Sequence, residues 1–247
     1  AAAFGVAGFS VICVDPSPPV TNAGDDRADM RTTAFLQPAR RLLESAGLWQ
    51  ALAPHAAALN VMRIVDAGGP TPEARIVKDF VAAEISDQPF GWNFPNWLLR
   101  RELVARLKGL PLVSFRAGVG TGAVLTREGS ALATLTDGSR IEARLLIAAD
   151  GRDSPVRQAL GIPVHTTRYG QKALAFAVTH PRPHDNISTE IHRSGGPFTL
   201  VPLPGRDGRP SSAVVWMAEG AEVARLAALP VPEFEAEMTA RSAGLYG

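Results

Sequence analysis

A chain of 247 residues, 46% hydrophobic and 20% charged, has the composition of an ordinary globular protein and enough length to bury a substantial core. Its formal charge of +1 supplies no basic field for nucleic acid and no acidic tail. A single cysteine, Cys13, excludes an internal disulfide framework and cannot by itself build a structural zinc site; it fits a reducing cytosol.

The longest apolar run, Ala1 to Val14, is interrupted by Gly5, Gly8 and Ser10 and falls short of the roughly 18 residues that span a bilayer. No basic stretch precedes it, so it does not read as a secretory signal. The chain starts inside an alanine-rich apolar pattern and stops at "SAGLYG", ends expected of a piece of a longer protein. "AAAFGVAGFSVICVDPSPP" reads as a helix end, a glycine stop at Gly8, and a short strand from Phe9 to Val14 buried on both faces. Asp15 closes that strand before Pro16, Pro18 and Pro19. It is either a turn residue or the acid that takes a ribose hydroxyl pair in a dinucleotide-binding βαβ unit.

"RTTAFLQPARRLLESAGLWQALAPH" reads as a helical segment broken by Pro38, with Gly47 separating two short helices. "LNVMRIVDAGG" and "ARIVKDFVAAEI" alternate apolar and polar residues, the pattern of half-exposed antiparallel strands. Helical spacing returns through Leu99, Leu103 and Leu107, with Gly109 as the stop. A meander follows from Ala117, whose "REGS" and "TDGS" are hairpin turns. Alternation resumes in "QKALAFAVTH", "FTLVPLP" and "SAVVWMAEG", and "PEFEAEMTARSAGL" begins a final helix. This order predicts two intertwined modules, one α/β and nucleotide-binding, the other an antiparallel sheet.

"AADGRDSPVR" is the densest local signal. An apolar run, Leu145 to Ala149, predicts a buried strand ending at Asp150 and Gly151, where ligands of open α/β sheets bind. Ser154 then caps a helix with Pro155 in its first position. A capped turn with a solvated aspartate explains the same residues equally well.

"IAADGRDSPVRQALGI" resembles the Asp-Gly motif of the flavin-dependent aromatic hydroxylases. The likeness extends in order through "AAAFGVAGFSVICVD", "DMRTTAFLQPARRLLESAGLWQAL" and "GWNFPNWLLRREL". "YGQKALAFAVTH", "TEIHRSGGPFTLVPLP" and "VVW" resemble substrate-domain strands of the ubiquinone-biosynthesis branch. The fold so implied is a Rossmann-like FAD-binding module, residues 1–60 and 93–163, intertwined with an antiparallel substrate sheet, residues 61–92 and 164–228. Residues 229–247 would start a helix leading back.

Residue by residue, the resemblance implies that Asp15 takes the FAD adenosine ribose and that Arg31 lies near the diphosphate or ribityl chain. It places Asn96 at a helix start close to the same chain, Val119 at the adenine pocket and Asp150 on FAD hydroxyls. The alternatives are a surface arginine, a simple helix cap and a core valine. The implied activity is hydroxylation of an aromatic ring with NAD(P)H and dioxygen, on a polyprenyl phenol of ubiquinone biosynthesis. A soluble small aromatic substrate, or a non-catalytic scaffold in a biosynthetic complex, is the alternative. No catalytic side chain is singled out, because such chemistry belongs to the cofactor. Phe176, Phe198, Leu200, Val201 and Trp216 are candidate walls of the substrate pocket, or simply core.

The family's first glycine fingerprint would end before Ala1 and its second Gly-Asp motif would follow Gly247, so the chain is expected to hold FAD weakly. Asn93-Phe94-Pro95 departs from the usual approach to the asparagine. No metal site is expected: Pro181 and Pro183 prevent a helix from aligning His180 with His184. The expected location is the cytoplasm, with peripheral attachment to the inner membrane or to a biosynthetic complex, and no nucleic-acid partner.

Overall fold

The structure, a computed structural model, describes residues 1–68, 73–193 and 195–247. Gly69, the last residue of the first predicted alternating stretch, and Ser194, within a segment quoted above, lie outside them. The fold is mixed α/β, with several sheets, and the chain forms two compact units: residues 1–20 with 103–167, and residues 21–102 with 168–247.

In the first unit a helix, Ala2–Val6, ends at Gly8, whose φ of +88° suits glycine alone among the neighbouring residues. The strand Val11–Asp15 then pairs in parallel with Val113–Ala117, so that Asp15 stands opposite Ala117 at the carboxyl ends of both. An antiparallel meander of Thr121–Thr126, Ala131–Leu135 and Arg140–Ala143 follows, with Gly138 at φ +83° in its second turn.

Two expectations are corrected in this unit. The first strand is not buried on both faces: among the described residues it has a single partner strand, and Ile12 remains 43% exposed. Leu145–Ala149 is not a strand, and Leu145 and Ile147 are exposed. An apolar run becomes a strand only where a neighbour takes its N–H and C=O groups, and no described strand pairs with it.

In the second unit Thr32–Leu36, Gly91–Pro95 and Ala57–Leu59 form a small antiparallel sheet with Gly91–Pro95 central. Thr32–Leu36 is a strand and not the helix that the sequence predicts. Its β-branched and aromatic residues suit the pleat, and the helix starts only at Gln37, with Pro38 in its first turn. The Arg40 guanidinium lies 4.8 Å from the ring centres of both Trp49 and Trp92, which ties this helix to the sheet.

A six-stranded sheet makes up the rest, in the order Gln171–Thr179, Arg209–Glu219, Gly196–Arg206, Ile187–Arg193, Val61–Asp66, Ile76–Val81. All neighbours are antiparallel except Ile187–Arg193 with Val61–Asp66. One face carries Val65, Ile191, Phe198, Leu200, Val214 and Trp216, against which Leu226, Phe234 and Met238 of the last two helices pack. Alternation along the strands turns Val201, Val215 and Ile64 to the other face.

Candidate functional site

Two groups of the expected cofactor residues assemble locally, one in each unit. In the first unit, Asp15 ends a parallel strand where the backbone turns at three prolines. Ser17 N donates to its Oδ1 at 2.9 Å, and Oδ2 accepts no hydrogen bond among the described residues. The Asp15 carbonyl oxygen accepts from Gly118 N at 2.8 Å and Val119 N at 3.1 Å. Two residues chosen separately from sequence, Asp15 and Val119, are thus joined at the carboxyl ends of a parallel pair. Gly120 continues the approach: a Cβ there would lie 3.2 Å from Pro16 Cβ.

Asp150 sits at the mouth of a tight turn in the same unit, followed by Gly151 at φ +90°. Ser154 Oγ donates to its Oδ1 at 2.5 Å and Val156 N to its Oδ2 at 3.0 Å. Arg157 N in turn donates to Ser154 Oγ, the expected cap of the helix Pro155–Ala159. The Ser154 hydroxyl, then the Val156 amide, hold the exposed Asp150 carboxyl below its ordinary range. Each oxygen keeps acceptor capacity toward solvent.

In the second unit Arg31 and Asn96 are brought together by a residue that carried no assigned role, Asp29. Its Oδ1 accepts from Arg31 Nε at 2.8 Å and its Oδ2 from Arg31 Nη2 at 2.8 Å, a bidentate fork. Oδ1 also accepts from Arg31 N at 3.2 Å. Oδ2 takes two further donors, Asn96 Nδ2 at 3.2 Å and Arg100 Nη2 at 3.0 Å. The Asn96 Oδ1 accepts from Thr33 Oγ1 at 2.7 Å. Backbone bonds close the arrangement: Asn96 N to Arg31 O, and Trp97 N to Asp29 O. The Asp29 side chain is 9% exposed, and the Arg31 fork drives its carboxyl far below the usual carboxylate range. The Arg31 side chain is 64% exposed, and its Nη1 has no partner among the described residues. The sequence signal for Asp29 was its spacing of two from Arg31, which permits the Asp29 Oδ1 to Arg31 N turn.

Of the substrate-wall candidates, Phe198, Leu200 and Trp216 are buried and Phe176 packs against them, all on the helix-covered face of the large sheet. Val201 lies on the opposite face. Beside Trp216 is a cavity of about 220 Å³ lined also by Arg193, Glu222, Glu237 and Arg241. Arg225 pairs with both of those glutamates. Arg241 Nη2 donates to the Gly196 carbonyl oxygen while its Nη1 is buried with no hydrogen-bond partner among the described residues.

His180 and His184 do lie near each other, ring centres 6.1 Å apart, but each is engaged in local bonds. His180 Nδ1–H donates to the Arg182 carbonyl oxygen and its Nε2 accepts from Ser212 Oγ, while Tyr246 stacks on the ring at 4.7 Å. No group of three metal-ligating side chains occurs among the described residues.

The family model for an FAD binding domain matches residues 3–241, almost the whole chain. The chain belongs to the FAD binding domain family. Within it, the chain is 34% identical over 236 residues to the ubiquinone hydroxylase UbiL of Rhodospirillum rubrum, covering 95% of this chain and 52% of that protein. It is 27% identical over 231 residues to the 3-demethoxyubiquinol 3-hydroxylase of Escherichia coli, covering 94% and 57%. Among solved structures, PqsL of P. aeruginosa in complex with 2-aminobenzoylacetate matches with a TM-score of 0.78 at 19% identity, covering 97% of this chain and 62% of that one. That likeness carries the fold. The chain spans little more than half the length of the curated relatives it matches most fully.

The donor sets fit the cofactor of the FAD binding domain family in chemistry. A dinucleotide offers sugar hydroxyls, which need acceptors, and a diphosphate, which needs a cation. Asp15 Oδ2 and the exposed Asp150 carboxylate are such acceptors, and the exposed Arg31 Nη1 is such a cation.

Proposed function

We propose that this chain is the cofactor- and substrate-binding portion of an FAD-dependent monooxygenase that hydroxylates an aromatic ring, using NAD(P)H and dioxygen. The substrate is a polyprenyl phenol of ubiquinone biosynthesis, a reading supported by likeness to a ubiquinone hydroxylase and a 3-demethoxyubiquinol 3-hydroxylase. The observation that carries the reading is the acid at the carboxyl end of a parallel strand pair, Asp15, bonded through its backbone to Val119 and with one carboxylate oxygen open.

In this reading Asp15 accepts from the hydroxyls of the adenosine ribose and Val119 borders the adenine. Arg31 directs its unpaired Nη1 to the diphosphate, the helix start at Asn96 lies along the same chain, and Asp150 accepts from further hydroxyls. FAD held by these residues would supply the redox chemistry, passing the two electrons of NAD(P)H to dioxygen so that one oxygen atom enters the ring and the other leaves as water. The chain's own work is to hold, orient and shield. The sheet face that bears Val201 and Val215 offers apolar surface for the ring to rest on.

No helix among the described residues is long and apolar enough to cross a membrane. Peripheral contact is proposed instead, through the outer hairpin of the large sheet, where Met62, Ile64, Ile76 and Phe80 are exposed.

The test is flavin content and turnover. The purified protein incubated with excess FAD and desalted should show bound-flavin absorbance, and a polyprenyl phenol should stimulate its oxidation of NAD(P)H more than p-hydroxybenzoate-like acids do. Protein that stays colourless would remove the flavin reading. Stimulation by the soluble acids alone would keep the flavin and replace the substrate.

A further inference from the structure

A nearly buried carboxylate that collects five donors from two separate stretches of chain does more than cap a turn. Asp29 takes both Nε and Nη2 of Arg31 on separate oxygens, which fixes the guanidinium plane and leaves Nη1 as the donor turned away from the pair. The same Oδ2 receives Asn96 Nδ2 and Arg100 Nη2, and the Asp29 carbonyl receives Trp97 N. The carboxylate therefore links the segment carrying Arg31 to the first turn of the helix Asn96–Lys108. A guanidinium on a free side chain sweeps many rotamers, and its alignment would have to be achieved at each binding event. Here the alignment exists before any ligand arrives.

We infer that Asp29 is the positioning residue for FAD binding in this chain: through the fork on Arg31 and the bond to Asn96 it presets the cation that meets the cofactor's diphosphate. The inference rests on the reading that Arg31 contacts that group. Asp29 itself stays clear of the ligand, because its two oxygens are saturated and nearly buried.

FAD titration of the purified protein, followed by quenching of flavin fluorescence, separates the possibilities across Arg31→Ala, Asp29→Asn, the double variant and Arg31→Lys. Arg31→Ala and Asp29→Asn are each expected to weaken FAD binding about tenfold, with the double variant no weaker than Arg31→Ala alone. Arg31→Lys keeps the charge but cannot form the fork, and is expected to lose nearly as much as Arg31→Ala. If Asp29→Asn binds FAD like wild type while Arg31→Ala is impaired, or if the two losses multiply, the positioning role is overturned. Should Asp29→Asn not fold, Arg31→Lys decides: wild-type affinity would mean that charge alone suffices and overturns it. If Arg31→Ala binds FAD normally, the assignment of Arg31 itself falls, and the inference with it.

Discussion

Asp29 and Asp150 both stand just before a helix in sequence or space, and both carboxyls are held below their ordinary range, yet they are opposite kinds of acid. Asp29 is nearly buried and saturated by its close neighbour Arg31 together with Asn96 and Arg100 from a helix far along the chain. Asp150 is exposed, and among the described residues its side chain is bonded by a serine and an amide a few residues ahead. The first has no capacity left for a ligand and shapes other groups; the second keeps open lone pairs and can take one. A lowered carboxyl therefore marks a site in two ways, and burial with partner count separates them.

The largest test of this contrast is removal. Asp29→Ala is expected to destabilise the protein by about 1–2 kcal/mol in urea unfolding, because it leaves the half-buried donors of Asn96 and Arg100 without their acceptor. Asp150→Ala should leave the urea midpoint almost unchanged and lower FAD affinity about tenfold in titration, the loss of one charged hydrogen-bond partner. Equal flavin content in wild type and variant would break the contrast on that side. Ser154→Ala removes the buried cap while leaving the Asp150 carboxylate in place, and should cost about 1 kcal/mol of stability in the same assay.

The smallest effect is on the acid limb of stability. Both groups have native values below their unfolded ones, so the unfolded chain binds protons first. Their contribution is complete above the ordinary carboxylate value of about 4 and is lost as pH falls below it toward the native values. Asp29→Asn should flatten the loss of stability measured between about pH 4 and pH 2 more than Asp150→Asn does.

Much of this was legible in the sequence, where local chemistry decides local structure. Gly138 in its hairpin, the Ser154 cap, Gly47 between two helices and the alternation of Gln171–Thr179 all declare themselves within a few residues. Asp15 and Val119 could each be singled out, but their junction depends on a parallel register invisible along the chain. The role of Asp29 is hidden along the chain because four of its five donors are side chains, two of them from the helix that begins at Asn96. Leu145–Ala149 misled for the converse reason: its composition suits a strand, and only a neighbour makes one.

The sole parallel neighbours of the large sheet have a kinetic implication. Val61 is in register with Ile187, while Val61–Asp66 meets its hairpin mate Ile76–Val81 almost at once. During synthesis the early hairpin must persist unpaired along one edge until the later strands emerge, and refolding must close that long loop before the core around Phe198 can consolidate. The slow phase of refolding should therefore report on the Val61–Ile187 seam, and a ribosome stalled before residue 187 should present a nascent chain that is readily cut by protease between residues 61 and 81.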